Sequence, residues 1–399
     1  MSVTERSIEF LNNKMIREVQ HKGYLERHRY LDAFKKVKRH LFVPSLFTLE
    51  NGRWEEDEID YADPQHETLK KIYVDKPLVV AIKEDEIHTT TSQPSLMAMM
   101  IDAGSIVTGM KILEIGTGSG YNAAILAEIL QQQQNLVTME IDRGIFRTAK
   151  DNLARAGYEK IVMVNKDGGF CEPTYAPYNS VIVTCACTDI SRRWVDQLKT
   201  NGTLIAPLAT RGFETLVRFK KISDKKLVGE PLAYVKFLRL QGVTSIINHY
   251  HMDSHKFKSF KRLLENEAKP DRELNELFAQ NFHRKKLLDF MFYLSVVEKD
   301  TITYEDNSND KLGTGYGIWN KEMNAGGLVL VFPGKVLHYG SEGVKNLIKK
   351  HIDDFHYLGN PKLSSYSIEI ASAFKPIEKK DAFWNIKRRN FNTIYSLNK

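Results

Sequence analysis

Leu113-Glu-Ile-Gly-Thr-Gly-Ser-Gly-Tyr121 decides the fold. The stretch predicts a buried strand running into a glycine loop, and Ala123, Ala124, Ile125, Leu126 and Ile129 give the helix after it an apolar face. Gly116, Gly118 and Gly120 stand at alternate positions, where the main chain can approach a ligand that a Cβ would strike. On an α/β sheet such a loop lies at the carboxyl end of a strand, where nucleotide-like ligands bind. Working outward, Leu136-Val-Thr-Met-Glu140 predicts a second strand that ends in a carboxylate. Ile161-Val-Met-Val164 predicts a third, leading to Asp167-Gly168. Ser180-Val-Ile-Val-Thr-Cys185 is an apolar run of the kind a strand covered on both faces needs.

A nicotinamide site would want G-x-G-x-x-G, but Tyr121 stands where the third glycine belongs, and no G-x-x-x-x-G-K-[ST] phosphate loop follows. The G-x-G-x-G spacing after Leu-Glu-Ile instead resembles the S-adenosylmethionine (SAM) loop of class I methyltransferases. Glu140 is then placed to accept from two ribose hydroxyls, and Asp167 to meet the adenine amine. The expected cofactor set is completed by Glu114, Gly116, Thr117, Gly118, Ser119, Gly120, Tyr121, Ile141, Gly168 and Thr184, with no metal.

His88-Thr-Thr-Thr-Ser-Gln-Pro94 is similar to the T-I-S-Q-P signature of protein-L-isoaspartate O-methyltransferases. Val37-Lys-Arg-His-Leu-Phe-Val-Pro44, Tyr61-Ala-Asp63, Ala176-Pro-Tyr178, Gln197-Leu198 with Gly202, and Val235-Lys-Phe-Leu-Arg-Leu-Gln-Gly242 resemble further pieces of that family, in its order. Asn165-Lys166 departs from the glycine that usually precedes Asp-Gly, and Asn179 replaces the aspartate that follows Ala-Pro-Tyr. The resemblance implies a doubly wound α/β, Rossmann-like class I methyltransferase sheet with N-terminal helices. Residues 1–92 are expected to form a helical and substrate-loop region, 93–242 the SAM-binding domain, and 243–399 an extra C-terminal α+β domain for peptide recognition.

Within these zones, Thr4 to His40 predicts helices, and Asn51-Gly52, Asp63-Pro64 and Lys76-Pro77 predict a looped stretch after them. Beyond Gly242, residues 253–289 are expected to be helical, Asp289–Val297 a strand and Thr301–Gly317 turn-rich. Leu328–Phe332 predicts a strand, Glu342–Phe355 an amphipathic helix and Ser365–Ile370 another strand.

Methyl transfer to a carboxylate requires no general base, because the acceptor (reference pKa ~3.9 for aspartate) is already ionised at neutral pH. What it requires is alignment and partial removal of water. Thr90, Thr91 and Ser92 offer hydroxyls for that task, and the resemblance puts Ser92 between cofactor and acceptor; capping the helix that starts at Gln93-Pro94 is its competing role. His88 is expected to face solvent, and Tyr121 to pack beside the cofactor or cover the loop.

The chain carries 57 Lys and Arg against 50 Asp and Glu, a net charge of +7, which would steer an acidic peptide or protein substrate. No N-P-P-Y motif appears, so a nucleic-acid partner is not expected. Cys171, Cys185 and Cys187 form no C-x-x-C pair, and no apolar run approaches a membrane span, which predicts a reduced, cytoplasmic protein without a membrane partner. The segment Val336-Leu-His-Tyr-Gly340, a helix, Tyr357-Leu-Gly-Asn-Pro361 and a strand are similar to the tail of methyltransferases that tailor ribosomally made peptides, the lanthipeptide-associated ones above all. On that basis the expected activity is esterification of a carboxylate in such a peptide. Repair of L-isoaspartyl residues is the alternative, and an inactive peptide-binding module the alternative of another class.

Overall fold

The computed structural model describes residues 3–50, 52–243, 251–253, 258–305, 314–320, 327–372 and 383–398. Helices α1 (Val3–His21) and α2 (His28–Lys36) occupy the expected helical zone. The zone expected to be looped is instead a small antiparallel sheet: β1 (Ser45–Glu50), β2 (Arg53–Glu58), then α3 (His66–Ile72), β3 (Leu78–Lys83) and β4 (Glu86–Thr91), in the order β2-β1-β3-β4. Arg53-Trp-Glu-Glu-Asp-Glu58 lies largely exposed, so β2 carries no apolar alternation from which a strand could be read. Asn51 lies outside the described residues.

The expected α/β alternation follows: α4 (Pro94–Ala103), β5 (Ile112–Ile115), α5 (Tyr121–Leu130), β6 (Leu136–Glu140), α6 (Arg143–Arg155), β7 (Val162–Asn165), β8 (Tyr178–Val183), α7 (Arg192–Gln197), then the long strands β9 (Leu198–Thr210), β10 (Phe213–Ser223) and β11 (Lys226–Tyr234). β5 pairs in parallel with β6 on one side and β8 on the other, so strand order reverses at its carboxyl end. That reversal is where an open α/β sheet binds its ligand. Both faces are covered. Ile112, Leu136 and Ile182 join a core with α4 and α5, while Leu113, Val137 and Val181 face the opposite core with Trp194.

The C-terminal region runs β12 (His251–Asp253), α8 (Lys258–Asn266), β13 (Lys269–Pro270), α9 (Arg272–Asn281), α10 (Arg284–Val297), β14 (Thr301–Glu305), β15 (Thr314–Asn320), β16 (Gly327–Phe332), β17 (Lys335–Gly340), α11 (Glu342–Tyr357), β18 (Tyr366–Ala371), β19 (Phe383–Lys387) and β20 (Asn392–Leu397). β16, α11 and β18 match their expected elements. Asp289–Val297 is helix, not strand. Every residue from Asp289 to Val296 is buried, so the segment shows no polar face, and its helical length emerges only when Arg284–Leu288 are counted with it. The stretch expected to be turn-rich holds β14 and the start of β15, with residues 306–313 outside the described ones.

Six strands, β12 to β17, form a separate sheet, but the last three join the methyltransferase sheet. β18 pairs antiparallel with β11, giving a ten-stranded order β19-β20-β18-β11-β10-β9-β8-β5-β6-β7. One apolar core runs from Leu113 through Phe219 and Phe292 to Phe355 and Tyr395. The expected boundary at Gly242 therefore marks a change in sequence character, while sheet and core continue across it. No helix among the described residues is long and apolar enough to cross a membrane.

Candidate active site

The loop after β5 has the backbone its glycines promise, with φ of 94° at Gly116, 55° at Gly118 and 87° at Gly120. Protein neighbours impose the small residue at Gly116 as firmly as any ligand: a Cβ there would lie 2.6 Å from Thr184 Oγ1. Thr184, expected to touch the cofactor, donates its hydroxyl to the carbonyls of Gly116 (2.6 Å) and Ile115 (2.9 Å), and so braces the loop from behind. At Gly118 the neighbour is the hydroxyl-rich segment itself, with the Thr90 carbonyl 3.4 Å from the position of a Cβ.

Glu140 ends β6 against this loop. Its Oε2 accepts from the Gly118 N–H (3.1 Å) and its Oε1 from the Asp142 N–H (3.1 Å). Burial raises its carboxyl above the usual range, and those N–H groups restrain the rise. Ile141, next in the chain, stays exposed as an apolar surface at the strand end. Asp167 is held edge-on, Oδ1 accepting from Gly169 N–H (2.8 Å) and Oδ2 from Val243 N–H (2.6 Å). Gly168 packs so closely on Ile115 that a Cβ would lie 2.5 Å from its side chain.

Glu114, Thr117 and Tyr121 are placed differently from their expected contact with the cofactor. Glu114 is wholly buried beneath the loop, accepting from Thr138 Oγ1 (2.6 Å) and Asn122 Nδ2 (2.7 Å), and Thr138 in turn pairs with Thr117 Oγ1 (2.7 Å). A carboxylate directed inward from a strand supports the loop and reaches a ligand only through it. Ser119 turns inward as well: its hydroxyl accepts from Tyr121 N–H (3.4 Å), and its carbonyl accepts from Asn152 Nδ2 (3.0 Å). Tyr121 packs 5.5 Å from Phe42, ring to ring, and burial pushes its phenol up to about 12.

Burial pushes the Glu114 carboxyl up to about 7 from its ordinary 4.5, against the hydrogen bonds from Thr138 and Asn122. The stability that accompanies such a raised value is fully present below pH 4.5 and is lost as the pH rises through 7. Glu114→Gln keeps the shape without the titration. The advantage of this variant over the wild type should grow by roughly 3 kcal/mol between about pH 4.5 and pH 8. Urea denaturation of both chains across that range measures it, and parallel profiles would count against a buried carboxylate at this position.

The hydroxyl segment divides by strand alternation. Thr89 and Thr91 share one face of β4, and Thr89 Oγ1 lies 3.6 Å from where a Cβ on Gly118 would sit. Thr91 is buried on that face, with its hydroxyl unpartnered among the described residues, while Thr90 occupies the other face. Ser92, just past the strand, is half-buried; its hydroxyl makes no hydrogen bond among the described residues, and its carbonyl accepts from Arg39 Nη2 (3.0 Å). Ser92 does not cap α4. Asp75 does, accepting from the Ser95 N–H (2.8 Å) while held by Lys22 (2.5 Å). Burial pushes the Asp75 carboxyl up, and Lys22 and Ser95 more than offset this, leaving it below the usual range.

Arg39, not among the expected site residues, holds the segment that carries Ser92. Its fully buried guanidinium also donates to the carbonyls of Ile72 (3.0 Å), Val74 (2.5 Å) and Lys76 (2.8 Å), tying the loop that carries Asp75 to Ser92. Burial lowers its pKa to about 10. Arg39 stands between Lys38 and His40 in a basic stretch, Lys35-Lys36-Val37-Lys38-Arg39-His40, and nothing in that pattern marks it as the buried member. His88, expected in solvent, is half-buried and pairs with Asp142 (3.2 Å), the N-cap of α6. A cavity of about 500 Å³ beside it, between β3, β4 and α6, touches the loop at Gly118 and Ser119 but not Glu140, Asp167 or Thr184.

The donor set fits an adenosyl sulfonium ligand: a strand-end carboxylate for a diol, an apolar surface at Ile141, a fixed carboxylate for an amine and an orphaned hydroxyl at Thr91. A glycine loop at the strand-order reversal with this set after the second and third strands defines a SAM-dependent class I methyltransferase. The chain belongs to the protein-L-isoaspartate(D-aspartate) O-methyltransferase family, whose model matches residues 10–245, and it is a carboxyl O-methyltransferase. It is 35% identical over 228 residues to the protein-L-isoaspartate O-methyltransferase of Methanococcoides burtonii, covering 57% of this chain and 98% of that one. It is 31% identical over 238 residues to the enzyme of the same name from Methanosarcina mazei, covering 60% and 86%. A solved protein-L-isoaspartate O-methyltransferase structure matches at TM-score 0.52 and 22% identity over 90% of this chain and 96% of its own, so the likeness in fold extends well past residue 245.

Proposed function

We propose that this chain esterifies the free carboxylate of L-isoaspartyl residues in peptides and proteins, with SAM as methyl donor. The observation that carries the proposal is the segment that packs on the glycine loop through the Thr90 carbonyl and runs on to Ser92, whose own carbonyl is fixed by Arg39 and whose hydroxyl makes no hydrogen bond among the described residues. Bound SAM supplies an electrophilic methyl on sulfur; the acceptor oxygen forms the new C–O bond as the C–S bond breaks, and a neutral thioether leaves. The acceptor is ionised at neutral pH, so no side chain has to remove a proton. Thr90 and Ser92 have to hold the carboxylate in line, with Thr91 facing the donor, and Arg39 and Asp75 have to hold that segment. The net charge of +7 favours acidic sequences around the acceptor, an attraction that added salt weakens.

Peptide tailoring rested on the C-terminal region. The last three strands of that region belong to the methyltransferase sheet, and the fold likeness to a solved enzyme named for isoaspartate extends into it, so its presence does not favour a dedicated peptide substrate. The deciding experiment offers tritiated SAM with an isoaspartyl peptide, its isomeric aspartyl peptide and a lanthipeptide precursor. We expect the isoaspartyl peptide to be preferred by about 100-fold or more in kcat/KM. Preferred labelling of the precursor would replace repair with tailoring.

A further inference from the structure

The hairpin joining β19 to β20 turns at Arg388-Arg389-Asn390-Phe391. Arg388 donates to the Thr188 carbonyl, to the Ala209 carbonyl (2.9 Å), to Thr210 Oγ1 (3.1 Å) and, through Nε, to Thr393 Oγ1 (2.7 Å). The Asn390 backbone N–H donates to Asp189 Oδ2 (2.7 Å), whose other oxygen accepts from Ile190 N–H (2.8 Å). Ser191 carries the connection on by donating to the Gly169 carbonyl (2.7 Å). Arg389 donates to the Val243 carbonyl (3.0 Å), and the Val243 N–H is the group that holds Asp167 Oδ2. The strap before it presses on the same carboxylate: a Cβ at Gly242 would lie 2.1 Å from that oxygen.

The segment after β8 and the Asp167–Gly169 turn after β7 are thus tied to one turn. That turn lies far outside the residues matched by the family, 10–245. We propose that Arg388 and Arg389 are positioning residues for the cofactor, fixing the Asp167 carboxylate and the segment after β8 in the arrangement that receives the adenine amine. The inference rests on the assignment of Asp167 to adenine. Two of the four acceptor positions of this carboxylate are taken by backbone N–H groups, which sets its plane and leaves two for the ligand. A fixed acceptor binds more tightly than one that must be ordered on binding.

The test is calorimetric titration of the full chain with S-adenosylhomocysteine. Arg389→Ala should weaken binding by roughly 5-fold and Arg388→Gln by roughly 10-fold or more, at unchanged stoichiometry. KM for SAM should rise in parallel, with kcat at saturating SAM held within about twofold. A role confined to stability would lower the melting temperature and the bound fraction while leaving Kd unchanged, and that result overturns the proposal. Should Arg388→Gln fail to fold, Arg389→Ala carries the test alone, since among the described residues its exposed side chain bonds only to the Val243 carbonyl. Unchanged Kd in these variants, with binding lost in Glu140→Ala, would remove this inference and leave the location of the site standing.

Discussion

Replacing Glu140 by alanine is expected to weaken S-adenosylhomocysteine binding by about 100-fold or more, a loss of roughly 3 kcal/mol or greater. A carboxylate offers about four acceptor positions. The N–H groups of Gly118 and Asp142 occupy two of them, one on each oxygen, and the two left match the vicinal hydroxyls of a ribose. Hydrogen bonds to a charged acceptor are worth about 1.5–3 kcal/mol each, so losing both gives the stated loss before any change in the loop. Alanine also releases the Gly118 N–H, and with it the arrangement of the glycine loop against β6. Glu140→Gln should fall between the two chains, at about tenfold weaker binding, because the amide keeps one acceptor and has lost the charge. Calorimetry separates the three. Equal affinity in wild type and Glu140→Ala would mean that the cofactor is held elsewhere.

The sequence was most legible where chemistry and neighbours lie close together along the chain. Leu113 to Tyr121 encodes strand, loop and helix in nine residues, and the place of Glu140 at the end of β6 is readable because an apolar run stops there at a carboxylate. Legibility failed where partners are distant or are backbone. Arg39 acts on carbonyls from Ile72 to Ser92, and carbonyls leave no mark on residue identity. Glu114 lies in the same nine residues as the glycines, yet the alternation of a strand buried on both faces does not reveal which side meets the ligand. In α10 the same all-round burial erased the helical period. The joining of β18 to β11 pairs Gly229 with Ile368, a contact between segments separated by the whole six-stranded sheet, and nothing local encodes it. Asp167 shows both outcomes: its place after β7 was readable, whereas its fixation by Val243, and through that by Arg389, was not.

The second large effect should come from a substitution that removes almost nothing from the structure. Ser92→Ala is expected to lower kcat by about 100-fold while S-adenosylhomocysteine affinity stays within about twofold. The Ser92 hydroxyl makes no hydrogen bond among the described residues, Asp75 caps α4 in its place, and the Arg39 tether holds the Ser92 carbonyl, which alanine retains. Melting temperature should therefore not move. What alanine lacks is a donor that fixes one oxygen of the acceptor carboxylate so that the other lies in line with the methyl–sulfur bond. Misalignment on the order of 1 Å is enough for a loss of this size. Thr90 remains, so the carboxylate should still bind and KM for the peptide should rise only modestly. Ser92→Thr keeps the hydroxyl and should recover part of the rate, whereas Ser92→Cys keeps the volume with a weak donor and should not. Steady-state kinetics on an isoaspartyl peptide, with calorimetry on the same preparations, reads all three variants. Wild-type turnover in Ser92→Ala would transfer the alignment to Thr90 and reduce Arg39 to a brace for the loop that carries Asp75.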